Sequence, residues 1–92
     1  MLTTIALAAT MTATAHCGNV ADAAELIMEA RQNGVPMRDM METAVESRVD
    51  LLPHLVEDAY SRPGYATERH QQKAVLDFTD QWYLGCIRAM RD

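Results

Sequence analysis

The sequence predicts an all-α chain, a compact bundle of about four helices with a long C-terminal helix, closed by one disulfide. Apolar residues recur at i, i+3, i+4 and i+7 in successive segments, and no run of useful length alternates in the two-residue rhythm of a strand. Helix-breaking residues (Asn33-Gly34, Pro36, Pro63-Gly64) fall between those segments. The two cysteines, Cys17 and Cys86, lie near opposite ends of the chain, an even count that allows a single intramolecular pairing.

The 92 residues make one domain at most, placed here over residues 16–92. A chain this short buries too little surface to be comfortably stable by packing alone, so a cross-link has work to do. Closing a loop of about seventy residues stabilises a fold by roughly 4 kcal/mol in the chain-entropy model. With 49% hydrophobic and 23% charged residues, the composition is that of a folded protein rather than a disordered one.

Residues 1–15 contain no charged side chain and end in Ala13-Thr14-Ala15, the small-x-small arrangement that a signal peptidase accommodates. They are expected to be a signal peptide cleaved after Ala15. The stretch is too short to span a membrane as a helix, which takes about 20 apolar residues, so no stable membrane insertion is expected after cleavage. No Lys or Arg precedes the apolar run, and threonines dilute it. The alternative is an N-terminal helix or arm that stays on the protein. His16 stands before Cys17 where a lipidation signal wants a small residue, which argues against a lipoprotein.

The helices follow in order. The first is expected from about Val20 to Asn33, with Asn19 as N-cap and Gly34 at the left-handed C-terminal position. Its apolar stripe is Val20, Ala23, Ala24, Ile27 and Ala30. Pro36 suits the first turn of a second helix reaching about Ser47, with Met37, Met40, Met41, Ala44 and Val45 on one side. A third spans about Leu51 to Tyr60, capped by Asp50, with Leu52, Leu55, Val56, Ala59 and Tyr60 facing inward. The fourth runs from Thr67, as cap, to about Met90. Its stripes, Gln71-Ala74-Val75-Phe78-Trp82-Gly85-Ala89 and Leu76-Thr79-Tyr83-Ile87-Met90, cover two faces, so it is expected to be the central helix.

Thirteen acidic residues against eight basic ones give a net charge of −5, and the basic residues form no run. A phosphate backbone needs clustered Lys and Arg, so nucleic acid is not an expected partner. His16, His54 and His70 invite a metal reading. Cleavage after Ala15 would put an α-amine beside the His16 imidazole, a pair suited to Cu(II). Nothing in the sequence brings a third ligand near, so no metal and no cofactor is expected. The carboxylate pairs Glu57-Asp58 and Asp77-Asp80 read as solvated faces rather than acid/base dyads. No Ser-His-Asp or Cys-His set and no Gly-rich phosphate loop can be assembled, so no catalytic residue is assigned.

Two features point instead to an interaction face. Met37, Met40 and Met41 form an adaptable apolar stripe that a small bundle leaves partly uncovered, although core packing of an amphipathic helix is the favoured explanation of their spacing. Tyr60, Arg62 and Tyr65 flank a turn and are residue types typical of interface hot spots, or else of a packed turn holding the third and fourth helices together.

The layout of Cys17, Asn33-Gly34-Val35, Tyr60-Ser61-Arg62-Pro63 and Trp82-Tyr83-Leu84-Gly85-Cys86 resembles that of small exported two-cysteine helical proteins of proteobacteria and their tailed phages. That resemblance implies export and the disulfide, and carries over no activity and no functional residue. The leading expectation is therefore a periplasmic or secreted, non-catalytic protein-interaction module, a modulator of the host envelope if the source is a phage. Its protein partner is unidentified, and a homodimer is one option. The alternative is a structural or assembly protein, cytoplasmic or particle-associated, that keeps its N-terminal arm. A third reading is an acid-stress periplasmic chaperone opened by carboxylate protonation.

Overall fold

The structure is a computed structural model that describes residues 2–91, with side chains from Thr14 to Arg91. Four helices make up the fold: α1 (Leu2–Gln32), α2 (Met37–Glu46), α3 (Leu51–Tyr60) and α4 (Glu68–Arg91). No strand occurs among the described residues. Cys17 and Cys86 are joined, with Cα atoms 5.6 Å apart, as the pairing argument requires. No helix among the described residues is long and apolar enough to cross a membrane.

Helix α1 starts far upstream of Val20, so Asn19 is an exposed mid-helix residue and not a cap. The physical reason is that nothing before it interrupts the helix. Ala, Leu and Met carry the propensity from Leu2 onward, and the lone Gly18 costs only about 1 kcal/mol. The side chains of residues 1–13, most of the expected leader, lie outside the described ones. At the other end the expected stop forms in full. Gly34 has φ +84°, Gly34 N–H donates to Arg31 O (3.2 Å) and Val35 N–H to Ala30 O (3.0 Å). This doubly bonded left-handed cap satisfies carbonyls that the last turn leaves open.

The disulfide ties α1 near Cys17 to the far end of α4, while Gln32 bonds the turn that precedes α4. The two long helices therefore run antiparallel. Helices α2 and α3 pack on one side of this pair, with Ile27, Ala44 and Val56 meeting around a shallow recess. The buried cluster is Ala24, Ile27, Met28, Ala44, Leu55, Val56, Ala59 and Phe78.

Helix α1, not α4, is the hub, contacting each of the other three. Phe78 is the sole fully buried side chain of α4 among the described residues, with Ala74, Val75 and Trp82 packed beside it. Leu76 stays 60% exposed, and Gly85 and Ala89 are also exposed. The α4 pattern is apolar on two faces, yet α2 and α3 are ten residues each, about 15 Å long. They cannot cover both faces of a 24-residue helix. The molecule is accordingly flat, 52 × 31 × 16 Å, two helical layers thick.

Helix α2 occupies the expected place, with Pro36 one residue earlier than expected, at the N-cap. On it Ala44 is buried, Met40 and Met41 are half-buried, and Met37 and Val45 are exposed. Helix α3 matches its expected bounds, but Asp50 is itself in helical geometry and its side chain makes no capping bond. Thr67 does cap α4: its Oγ1 accepts from His70 N–H at 3.3 Å.

Candidate functional site

Two places concentrate the side chains with chemistry to offer, one at each end of the α1–α4 pair. The first is the turn between α3 and α4. Asp58, in the last turn of α3, faces Arg62 with Nη2 to Oδ1 at 3.3 Å, and Nε of Arg62 donates to the same oxygen. Asp58 Oδ2 also accepts from Trp82 Nε1–H of α4 at 2.8 Å. The Arg62 guanidinium lies 5.0 Å over the Phe78 ring. Arg62 thus joins α3 to α4 through a carboxylate on one helix and an aromatic face on the other.

Helix α1 reads the same turn through its backbone. Arg31 Nε–H donates to Arg62 O (3.1 Å), and Gln32 Nε2–H donates to Pro63 O (2.9 Å). Gln32 Oε1 accepts from Tyr65 N–H at 2.9 Å. The Tyr60 hydroxyl donates to Val35 O at 2.6 Å, beneath the Arg31 guanidinium, which lies 5.4 Å from its ring centre. Burial pushes the Tyr60 phenol above its ordinary value of 10.0, Arg31 opposes the rise, and Asp39 adds to it. No buried side-chain nitrogen or oxygen among the described residues lacks a hydrogen bond. The turn is a clamp, and its polar groups serve the fold.

The six residues expected to form an interaction face divide accordingly. Tyr60 and Arg62 are half-buried with their polar atoms engaged inside the clamp. Tyr65 is 42% exposed, with its ring 6.0 Å from that of His70. Met40 and Met41 pack against the core, and Met37 is 42% exposed at the start of α2. Met40 borders a recess of about 130 Å³ with Leu26, Thr43 and Leu52.

The second place is a groove of about 530 Å³ between α1, α3 and α4, reaching from the disulfide to the Asp58–Trp82 bond. Val20, Leu51, Trp82, Cys86 and Met90 give it apolar walls, and Gly85 leaves its side open. His16, Asp58 and Gln81 stand among its lining residues. Asp58 is already engaged by Arg62 and Trp82, and the indole N–H of Trp82 is taken by Asp58. The groove therefore offers mainly apolar surface and an aromatic face. Sequence reasoning passed over it, because Val20, Trp82 and Gly85 all read as core-facing positions. Elsewhere Glu25, Glu29 and Glu68 rim a cleft of about 360 Å³ lined mostly by amides, Val75 and Leu76. Among the described residues no three His, Cys, Asp or Glu side chains converge as a metal site would require.

Fold and site together define a class: a small all-α bundle whose ends are joined by a disulfide beside an open apolar groove. Comparison of the chain with protein-family models, curated proteins and solved structures returns no match.

Proposed function

We propose that this chain is an exported, periplasmic or secreted, non-catalytic module that binds another protein, taking a bulky apolar side chain of that partner into the groove beside the disulfide. The groove carries this reading. Its volume of about 530 Å³ suits one or two side chains, and its carboxylate and indole N–H already bond each other. An apolar occupant would then displace water without breaking the Asp58–Trp82 bond.

Export is supported by the small-x-small pattern Ala13-Thr14-Ala15 and by the disulfide. Thr14, Ala15 and His16 are exposed, and Cys17 is fully buried. A disulfide is also at home in an oxidising compartment.

The test has two arms. The mass of the intact protein, purified without reductant from an exporting bacterium, should correspond to a chain beginning at His16 and be two hydrogens short of the reduced value. Gly85→Trp should then fill the groove, since a Cβ built there meets nothing within 4 Å and the indole is directed into the space. It is expected to keep the helical circular-dichroism signal and to abolish capture of envelope proteins retained by a Val45→Ser control. Equal capture by both variants would remove the groove from the reading.

A second reading is favoured by one observation. The α1 backbone is helical from Leu2 without a break, so residues 2–15 extend the helix that carries Cys17. A structural or assembly protein that keeps this arm would use it so, and a native mass that includes Met1 would select that reading.

A further inference from the structure

We propose that the chain forms a homodimer through the outer face of α4, two copies of the helix pairing antiparallel about a two-fold axis at Leu84. This surface is the one left bare by the two-layer architecture. Phe78, Val75 and Trp82 turn toward the core, and at 100° per residue the positions on the opposite side, following Lys73 at its N-terminal end, are Asp77, Asp80, Leu84, Arg88 and Arg91. All five are exposed, Leu84 to 49%.

The order of charges along that face identifies the occupant as a second copy. Counting from Leu84, an aspartate stands seven and four residues before it, and an arginine four and seven residues after it. Reversing a helix about Leu84 exchanges these places. Asp77 then meets the partner's Arg91, Asp80 meets the partner's Arg88, and the two leucines meet on the axis. A parallel copy would instead set like charge against like, and an unrelated helix would have no reason to match the spacing. Half-buried Ile87 widens the apolar centre on the same side.

An interface with one leucine at its centre and charges around it is small. Its charge pairs direct register and orientation more than they supply affinity. Lys73 already holds one oxygen of Asp77, Nζ to Oδ2 at 2.8 Å, and leaves the other free to accept from Arg91 of the second copy. The dimer is therefore expected to be weak, dependent on concentration and sensitive to salt. It does not rest on the groove, which opens on a different side of α4.

The test is charge exchange, read by sedimentation equilibrium on the full, oxidised chain. The native protein should dimerise at low salt and dissociate in about 1 M salt, where the Debye length falls to about 3 Å. Asp77→Arg with Asp80→Arg makes the four charged positions about Leu84 all positive, and Arg88→Asp with Arg91→Asp makes them all negative. Each should weaken self-association by about 100-fold, since like charges across an interface cost several kcal/mol. An equimolar mixture of the two should recover dimers, and so should the chain carrying all four exchanges. Circular dichroism confirms folding, because reversing charges in the last turn opposes the helix dipole. A native chain that stays monomeric at millimolar concentration in low salt overturns the proposal. So does a native dimer that survives either double exchange, or a mixture that stays monomeric.

Discussion

At one end of the α1–α4 pair, Arg31, Gln32, Asp58, Tyr60, Arg62 and Trp82 bind the turn and one another through hydrogen bonds; at the other end the connection is a single S–S bond beside a groove. The clamp end adjoins the main buried cluster, to which Phe78 and Ala59 belong. Cys17 and Val20, though buried, stand outside that cluster. Where packing is continuous and side chains can reach backbone carbonyls, non-covalent bonds close the fold. Where the second layer gives out, a covalent bond holds the long helices together. The same contrast separates the functional prospects of the two ends: the clamp has its polar groups satisfied beside a cleft of amides and carboxylates, and the disulfide end has an apolar groove.

The comparison breaks first at the cysteines. Replacing both by serine should lower unfolding free energy by about 4 kcal/mol, the chain-entropy value for a loop of this length, measured by urea denaturation against the oxidised chain. A loss under about 1 kcal/mol would mean that packing alone secures the disulfide end, given that strain or residual structure sets the range. The next effect belongs to the clamp. Gln32 is 8% exposed and makes two bonds to the turn backbone, so Gln32→Ala should cost about 2 kcal/mol by leaving Pro63 O and Tyr65 N–H without their partner.

The smallest effect sharpens the contrast through pH. The folded state binds the Tyr60 proton more tightly than the unfolded chain does, because its phenol lies above 10.0. The associated stability is present in full below pH 10 and is lost as the pH rises through the folded value. Tyr60→Phe should cost about 1 kcal/mol at neutral pH through the lost bond to Val35 O. It should also flatten that alkaline decline. An unchanged decline in the variant would assign it to another group.

Much of the architecture was legible because its signals are local. Asn33-Gly34-Val35 and Pro63-Gly64 mark chain reversals by backbone chemistry alone, and two cysteines leave one pairing. The start of α1 was not legible: Asn19 has the chemistry of a cap, but no breaker stands before it to expose the N–H groups a cap would satisfy. Asp50 was misread for a related reason, since its own helical geometry turns the side chain away from capping. The α1 half of the clamp was hidden as well. Gln32 and Arg31 act on carbonyls thirty-one residues away, a distance at which periodicity says nothing. Helix periodicity told which faces of α4 are apolar, and it held no information on how far α2 and α3 could reach to cover them.

The Cys17–Cys86 bond also changes what a protease can do to this molecule. Sixty-nine residues of sequence separate its two ends, and all three inter-helix connections lie inside that covalent ring. A cut in any of them, at the exposed Gly34, Arg48 or Gly64 for example, opens the ring without releasing a fragment. The nicked chain keeps its parts together until a reductant arrives, so digestion inside the ring and loss of the protein become separate events, the second governed by the redox state of the surroundings.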